Sequence, residues 1–494
     1  MTISDAAKSK LGAQNGLSKT TLDPADWSET RAQGHRMLDD MFDYLERLRA
    51  RPVWQPIPQT VRDHFKQDLP QAALPLESVY EEFKQFILPY SSGNVQPGFM
   101  GWVQGGGTGV GMLAEMLSAG LNANLGGRDH APIAVEEQIT HWMRQIFKFP
   151  AEASGLFVTG ASMANLIAIL VARAEALGKA VRRAGVGEEG TKLRGYTSAA
   201  AHSCITRALD IAGIGSDALR LIPFDSSHRM DITALHASIA ADRKAGLEPF
   251  LVVGTAGTVD VGAIDDLKSI SALCRAENMW FHVDGAYGAL AALSPTLASH
   301  LSGIEEADSI ALDFHKWMQV PYDAGFILVR DGSRHRDAFV TPAAYLSRET
   351  RGLAAGTFWP CDYGPDLSRG FRALKTWFTL KTYGSEQLGR MIEGTCALAQ
   401  YLEKKVLAEP QLELLAPAQL NIVCFRYRAD DADKVNADIV ADIQESGIAA
   451  PSVTTINGKR AIRAALFNHR TQAGDIDALI TAVLSFGKKR TGKN

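Results

Sequence analysis

One lysine in this sequence has the surroundings that a nucleophilic amine needs. Lys316 follows the apolar run 309–312 in a short turn, between His315 and Trp317. A lysine just past a buried strand can lose hydration, which lowers its pKa and makes the amine reactive toward carbonyl groups. The competing interpretation is a solvated lysine in a surface loop, and Lys316 alone does not decide between the two.

A carboxylate occupies a similar place in the sequence. Asp284 closes the apolar run 280–283, at the end of another predicted strand. A buried carboxylate is costly unless a cation pairs with it. A helix N-cap is the alternative role, but it accounts poorly for the apolar residues before Asp284. The position therefore predicts a buried acid with a positively charged partner.

Three more strand ends carry small or polar residues. Ala161 and Ser162 open a helix after Gly160, where backbone N–H groups and the helix dipole suit a phosphate. His202 follows another predicted strand, and Thr255 is the last residue of a further one. Each has a structural alternative: Ser162 as an N-cap, His202 as a packed core histidine and Thr255 as a strand-end hydroxyl.

The elements that must position these residues alternate between short apolar strands and helices. This pattern predicts a mostly parallel sheet covered on both faces, in an α/β fold. In open α/β sheets, ligands bind beyond the carboxyl ends of the strands, so the residues above should meet at one edge. The predicted strands are 155–159, 194–197, 219–222, 250–255, 279–283, 309–312 and 325–329.

Two smaller parts flank this sheet in the predicted domain organisation. After a disordered segment, 1–22, residues 23–90 read as an N-terminal helical arm that we expect to lie on another subunit. Residues 91–385 form the large domain, and residues 386–494 form a small α+β domain. The glycine-rich stretch 105–109 does not fit a dinucleotide fingerprint, which favours a close-packed turn before a helix.

Composition excludes several classes of protein. The 494 residues exceed what one hydrophobic core serves, and a net charge of -4 without a basic stripe argues against nucleic-acid binding. Five scattered cysteines without CxxC spacing favour a reducing compartment and argue against a zinc ribbon. With no apparent secretory signal, membrane-spanning run or metal-ligand set, we expect a cytoplasmic protein without a metal.

A phosphate seat, a ring to stack on the cofactor, a buried carboxylate and a lysine at one sheet edge are the needs of pyridoxal 5'-phosphate (PLP). The segments 198–203, 282–287 and 313–317 resemble the group II PLP-dependent amino-acid decarboxylases, which include the aromatic-L-amino-acid, tyrosine, histidine and glutamate decarboxylases. The order and spacing of the blocks agree, and weaker similarity covers residues 25–485. The resemblance implies the fold of aspartate aminotransferase (fold type I), a homodimer, and decarboxylation of an L-amino acid to the amine.

The resemblance also implies a role for each matching residue. Lys316 forms the Schiff base with PLP, Asp284 pairs with the pyridine nitrogen and His202 stacks on the ring. The other cofactor contacts that the resemblance implies are Thr255 and Ala286 along the ring, Ala161 and Ser162 at the phosphate, and His315 beside the lysine.

A loop departs from the family pattern. The family carries a loop tyrosine that reprotonates Cα, usually in the site of a neighbouring subunit. That place falls near Pro360 here, so Tyr363, within the segment 357–366, is a displaced candidate. Without an acid at Cα, an aldehyde-forming decarboxylation becomes an alternative outcome.

The substrate wall departs as well. The family's histidine before a proline is Gln96 here, and Asn124 and Arg128 make the wall more polar. Because an arginine can form a forked contact with a second carboxylate, acidic or polar amino acids compete with aromatic ones as expected substrates. The alternative is that Arg128 pairs with a nearby acid such as Asp129.

Two further classes remain as alternatives. An aminotransferase on the same cofactor would use an arginine of the small domain for the substrate carboxylate, and Arg463 is a candidate. A non-catalytic scaffold would have lost Lys316 or Asp284, and both are present.

Overall fold

The computed structural model describes residues 21–341 and 348–492, so most of the predicted disordered segment 1–22 lies outside the described residues. This part of the chain forms two compact units. The first contains Gln59–Pro89 and the chain up to Glu46, and the second contains Arg47–Pro58 and the chain from Tyr90 onward.

The helices and strands follow one another along these described ranges. The α-helices are α1 (Trp27–Glu46), α2 (Gln59–His64), α3 (Leu76–Glu82), α4 (Gly109–Leu121), α5 (Ala131–Phe147), α6 (Ala161–Leu177), α7 (Val181–Ala184), α8 (Gly187–Gly190), α9 (Cys204–Ile211), α10 (Ile232–Lys244), α11 (Leu267–Glu277), α12 (Gly332–Phe339), α13 (Arg372–Ala408), α14 (Ala432–Glu445) and α15 (Ala473–Thr491). The strands are β1 (Phe99–Met100), β2 (Ser154–Val158), β3 (Leu193–Ser198), β4 (Leu219–Ile222), β5 (Glu248–Thr255), β6 (Trp280–Asp284), β7 (Ser309–Asp313), β8 (Gly325–Val329), β9 (Leu412–Gln419), β10 (Ile422–Tyr427), β11 (Ala450–Ile456) and β12 (Lys459–Ala465).

The first unit consists of helices α1 to α3, which confirms the predicted N-terminal helical segment. The side chain of Asp26 accepts a hydrogen bond from the Ser28 amide (2.8 Å) where α1 begins. Within the unit, the Tyr80 hydroxyl donates to Oδ2 of Asp40 (2.8 Å) and ties α3 to α1.

The second unit contains the predicted mostly parallel sheet, with strand order β2-β8-β7-β6-β5-β3-β4. Strand β8 is antiparallel to both of its neighbours, whereas the other pairs are parallel. The connection 314–324 between β7 and β8 is too short for the crossover that a parallel pair needs. The remaining strands therefore end at one common edge.

Apolar residues cover both faces of this sheet, as its continuous apolar strands predict. Successive residues of a strand point to opposite faces. Accordingly, Val252 and Phe157 belong to one buried cluster, and Leu251 and Leu156 belong to another. All five cysteines are buried and unpaired, and within 21–341 and 348–492 no helix is long and apolar enough to cross a membrane.

Two glycines allow the chain to pack tightly around the lysine turn. A Cβ atom on Gly325 would lie 2.3 Å from Cα of Gly160, and one on Gly105 would lie 2.4 Å from the carbonyl oxygen of Lys316. Any side chain at either position would collide with backbone. The glycine-rich stretch is therefore the close-packed turn that its sequence predicts, and it lies directly against the lysine turn.

A second sheet, of order β1-β11-β12-β10-β9, contains the C-terminal strands. Strand β1 comes from the region before α4, yet it pairs in parallel with β11 through Phe99 and Ala450. Helix α13 leads into this region and is kinked at Gly384, which has φ 70°. The kink lies next to the predicted boundary between residues 385 and 386, and we propose it as the junction of the large and small domains.

Candidate active site

The common edge of the seven-stranded sheet opens into a cavity of about 490 Å³. The site residues predicted from the sequence that line it are Ala161, Ser162, His202, Thr255, Asp284, Ala286, His315 and Lys316. A larger cavity of about 720 Å³ lies around Arg229, Lys268 and His300, but it contains neither Lys316 nor Asp284. The smaller cavity is therefore the candidate active site, because it contains the residues that could do chemistry.

The amine of Lys316 faces a carboxylate at the end of the preceding strand. Its Nζ atom is 2.7 Å from Oδ2 of Asp313. Burial by itself would lower the pKa of Lys316, but the charges of Asp313 and Asp284 outweigh burial and raise that pKa. The lowered pKa expected from the sequence is therefore wrong, because that expectation considered dehydration without the neighbouring carboxylates.

Asp313 joins three parts of the site, although the sequence interpretation gave it no role of its own. Its Oδ1 accepts a hydrogen bond from the Ala161 amide (2.7 Å) at the start of α6, and its Oδ2 lies 3.6 Å from Nε2 of His315. The residue is only 2% exposed. The sequence does contain a signal for this role, because Asp313 is the last residue of an apolar strand, just as Asp284 is.

Asp284 is the buried carboxylate that the sequence predicts. It is the last residue of β6, and its Oδ1 accepts a hydrogen bond from the Ala286 amide (3.1 Å). Its Oδ2 accepts one from Nδ2 of Asn165 (3.1 Å). Burial raises the pKa of Asp284, and the charge of Lys316 acts in the opposite direction.

Ser162 and His202 present exposed groups to the same cavity. Ser162 lies in the first turn of α6, where the helix dipole favours an anion. Nδ1 of His202 accepts a hydrogen bond from the Cys204 amide (3.2 Å), so a neutral His202 carries its proton on Nε2. This contact holds the His202 ring at the N-terminal end of α9 and leaves the ring exposed toward the cavity.

Two buried hydroxyl groups in the cavity lack a hydrogen-bond partner among the described residues. They are Oγ1 of Thr255 and Oη of Tyr287. A buried polar atom without a partner is costly, and functional sites are where such atoms are expected. Together with the lysine and the buried acid, these orphaned groups fit a polar cofactor such as PLP.

The opposite side of the cavity contains residues that the sequence interpretation missed. Trp102 and Gln104 come from the stretch after β1, and Ser452 comes from β11. Tyr322 lies over the ring of His315, with ring centroids 4.3 Å apart. None of these residues stands at the end of a predicted strand, which is why the strand-end rule did not find them.

Arg463 also lines this side, but backbone carbonyl groups occupy its guanidinium. Nε donates to the carbonyl of Asp260 (3.2 Å) and Nη1 to that of Trp102 (3.1 Å), while Nη2 bonds the carbonyl of Val259. The residue is 3% exposed, and burial lowers its pKa. In this arrangement Arg463 ties the small domain to the cavity wall.

The structure does not bring Asn124 or Arg128 to the cavity of their own chain. Oδ1 of Asn124 accepts hydrogen bonds from the amides of Gly126 and Arg369, both at 3.0 Å, and so shapes a turn. The guanidinium of Arg128 lies 4.6 Å from the ring centroid of Trp359. Within the described part of the chain, that aromatic ring rather than Asp129 is the recorded partner of Arg128.

Gln96 and Tyr363 also lie away from this cavity. The Gln96 carbonyl accepts a hydrogen bond from Nδ2 of Asn468 (2.9 Å), and the residue is buried. Tyr363 packs against His335 and Phe358, with ring centroids 5.2 and 5.1 Å away. Roles for Gln96, Asn124, Arg128 and Tyr363 therefore stay predictions that need a second subunit or a rearranged loop.

Comparison with known proteins gives the same cofactor as this geometry. A family model described as the pyridoxal-dependent decarboxylase conserved domain matches residues 58–428. An aromatic-L-amino-acid decarboxylase of Bacillus atrophaeus is 32% identical over 455 residues, covering 90% of this chain and 92% of that protein. A phenylacetaldehyde synthase of Arabidopsis thaliana is 29% identical, covering 92% of this chain and 94% of that protein. The crystal structure of Oryza sativa TDC with PLP and tryptamine is similar in fold, with a TM-score of 0.88 at 24% identity over 95% of this chain and 100% of that one.

The sheet and its edge are those of a PLP enzyme of fold type I, which confirms the predicted fold class and cofactor. The chain belongs to the pyridoxal-dependent decarboxylase family and is an amino-acid decarboxylase, a carboxy-lyase.

Proposed function

We propose that this enzyme uses PLP to convert an L-amino acid to the corresponding amine and CO2, and that Lys316 holds PLP as a Schiff base between turnovers. The observation that carries this assignment is the convergence of Lys316 and Asp284 on one cavity from the ends of neighbouring strands. Strands β6 and β7 pair in parallel, with Asp284 opposite Ala311, and this pairing fixes the separation of acid and amine.

In this proposal, different cavity residues contact different parts of the cofactor. Asp284 holds a positive charge on the pyridine nitrogen, since a buried carboxylate favours a cationic partner. Ser162 and the start of α6 bind the phosphate, and His202 covers one face of the ring. When bound, PLP supplies an electron sink for the bond between Cα and the carboxylate. The hydroxyl groups of Thr255 and Tyr287, which have no hydrogen-bond partner among the described residues, supply further polar contacts to the cofactor.

We propose an aromatic amino acid as the first substrate class and an acidic or polar one as the second. Trp102, Val103 and Val453 give the cavity an aromatic and apolar wall, which supports the first class. The second class depends on Arg128 of a partner subunit, because the structure leaves the cavity of the same chain without it.

Decarboxylating aldehyde formation is a second candidate reaction. It is favoured by Tyr363, whose packing against His335 keeps the displaced tyrosine away from the cavity of its own chain. The similarity to a phenylacetaldehyde synthase adds support. Transamination is disfavoured, because the guanidinium donors of Arg463 already bond backbone carbonyl groups.

A homodimer is part of this proposal. Helix α4 exposes Met116, Leu117 and Leu121, each of which is 46% to 62% exposed. A contiguous apolar helix face of this kind suits a subunit interface. Light scattering should give twice the mass of 53.4 kDa, and a monomer at micromolar concentration would contradict this part of the proposal.

A substrate screen tests the reaction directly. The purified enzyme with PLP is offered each of the twenty amino acids, and CO2, amine, aldehyde and keto acid are measured in parallel. Amine and CO2 in equal amounts support the proposal, whereas aldehyde with ammonia and peroxide supports the second candidate. Keto acid without CO2 would contradict both.

Borohydride trapping tests the role of Lys316 separately. Reduction should remove the visible absorbance and leave a label on the peptide that contains Lys316. The Lys316→Ala variant should lose both label and turnover, whereas Lys381→Ala, at an exposed position on α13, should keep them. Normal turnover in Lys316→Ala would refute the assignment.

A further inference from the structure

A chain of buried hydrogen bonds runs from Asp284 into the interior of the large domain. Nδ2 of Asn165 donates to Oδ2 of Asp284 (3.1 Å), and Oδ1 of Asn165 is 2.8 Å from Nε2 of His282. Nδ1 of His282 lies 2.8 Å from Oγ of Ser309, which is 2.9 Å from Nε1 of Trp280. The chain thus links five side chains from helix α6 and strands β6 and β7.

The ionised carboxylate of Asp284 determines the direction of the hydrogen bonds in this chain. An ionised carboxylate can only accept, so Nδ2 of Asn165 donates to Asp284, and Oδ1 of Asn165 faces Nε2 of His282, which must carry a proton. A neutral His282 then has an unprotonated Nδ1, which accepts from the Ser309 hydroxyl at 2.8 Å rather than donating to the Ser309 carbonyl oxygen at 3.1 Å. The indole N–H of Trp280 can only donate, and it bonds the same Ser309 hydroxyl oxygen.

Burial makes this single arrangement costly to change. Asn165, His282 and Ser309 are each 0% exposed, and Trp280 is 7% exposed. Burial lowers the pKa of His282 to about 3, which keeps the ring neutral. In such surroundings, a polar group that loses its partner is destabilising by its full desolvation penalty. Hydrogen bonds in a row also polarise and strengthen one another.

We propose that Trp280, Ser309, His282 and Asn165 act as a directed hydrogen-bond relay that positions Asp284 and holds it ionised for the pyridine nitrogen of PLP. These four are positioning residues, because they reach the cofactor only through Asp284. The inference rests on the proposed function, in which Asp284 pairs with that nitrogen. It assigns a function to four residues whose packing alone would otherwise account for their burial.

The structure offers a matched control for this relay. Ser154 and His335 form another buried serine–histidine pair, with Oγ and Nδ1 2.8 Å apart. His335 is also 0% exposed, and burial lowers its pKa to about 3. This pair lies at the opposite end of β2 from the cavity. Ser154→Ala therefore removes the same kind of hydrogen bond without touching the relay.

The experiment compares PLP with its analogue in which carbon replaces the ring nitrogen. Dissociation constants of both compounds are measured by fluorescence for the wild type, Ser309→Ala, Trp280→Phe and Ser154→Ala. The two relay variants should bind PLP about three- to tenfold more weakly, as expected for one lost hydrogen bond to a polarised chain. Their affinity for the analogue should stay within about twofold of the wild type, because Asp284 has no nitrogen to pair with there.

The outcomes separate this inference from the proposed function. If Ser309→Ala and Trp280→Phe weaken both compounds equally, or if Ser154→Ala has the same selective effect, the relay is overturned. If the wild type itself binds PLP no better than the analogue, Asp284 does not pair with the ring nitrogen, and the assignment of Asp284 fails first. Selective loss for PLP in the relay variants alone supports the inference.

Discussion

Replacing Arg369 with methionine should destabilise the second unit strongly. The side chains of Arg369 and Glu136 are each 1% exposed and form a forked ion pair with distances of 2.7 and 3.2 Å. The guanidinium also donates to the carbonyl groups of Leu125 (2.9 Å) and Phe157 (2.7 Å). It thereby joins α5, the end of β2 and the segment that follows residues 357–366.

The contacts give the size of the effect. Arg369→Met removes all four donations and leaves Glu136 buried, with the Phe157 amide (3.0 Å) as the remaining recorded donor. Removing one partner of a buried ion pair costs about 3–5 kcal/mol, because the other charge stays buried without compensation. Since folded proteins are stable by about 5–15 kcal/mol, this loss is a large share of the total.

Urea unfolding, followed by tryptophan fluorescence, measures the effect in a double-mutant cycle. Glu136→Leu together with Arg369→Met should recover part of the loss, because two apolar side chains leave no buried charge. As a control, Arg390→Met removes a pair that is 66% and 90% exposed and should cost at most about 1 kcal/mol. A cost below about 1 kcal/mol for Arg369→Met, or a double variant as unstable as the sum of the single ones, would refute the reasoning.

The other predictions concern the cavity and its surroundings. Asp313→Asn removes a charge that raises the pKa of Lys316, so the pH profile for the rate of PLP attachment should move to lower pH; an unchanged profile would show that Asp313 does not set this pKa. Asp284→Ala should bind PLP more weakly and, even when saturated with PLP, lose most of its turnover in the CO2 assay; full activity would remove Asp284 from the mechanism. Arg128→Ala should slow aspartate and glutamate more than tyrosine, and equal effects on all three would dismiss Arg128 as a substrate residue. Tyr363→Phe should shift products from amine toward aldehyde if this tyrosine protonates Cα, and an unchanged product ratio would exclude that role.

The sheet was the part of the fold most open to prediction from sequence. Strands β4 and β8 begin and end at the predicted residues, and each is followed by a residue that ends the pattern, Pro223 after β4 and Arg330 after β8. Strand β9 was missed, since Pro417 interrupts it and several of its residues are only partly buried. Helix α13 begins at Arg372 and continues past the predicted domain boundary at 385, because the kink at Gly384 does not end it.

The site was predictable where it depends on strand ends and less so where it depends on side-chain hydrogen bonds. Lys316 and Asp284 follow their strands in a way that the sequence displays directly. The sequence predicts Asn124 as a polar residue of the substrate wall. In the structure its side-chain oxygen instead accepts a hydrogen bond from the backbone amide of Arg369, 245 positions further along the chain. Such a partner depends on tertiary packing, and no local pattern in the sequence indicates it.

The pairing of β1 with β11 divides the cavity into two parts of different origin. The cofactor residues lie at the edge of the seven-stranded sheet, whereas Trp102 follows β1 and Ser452 lies in β11, so both are attached to strands of the five-stranded sheet. The carbonyl of Trp102 is bonded to Arg463 of the same sheet, which makes this wall one connected piece. Because the proposed function places the substrate against this wall, we expect substitutions in the C-terminal strands to change which amino acid fits while leaving the residues that hold PLP in place.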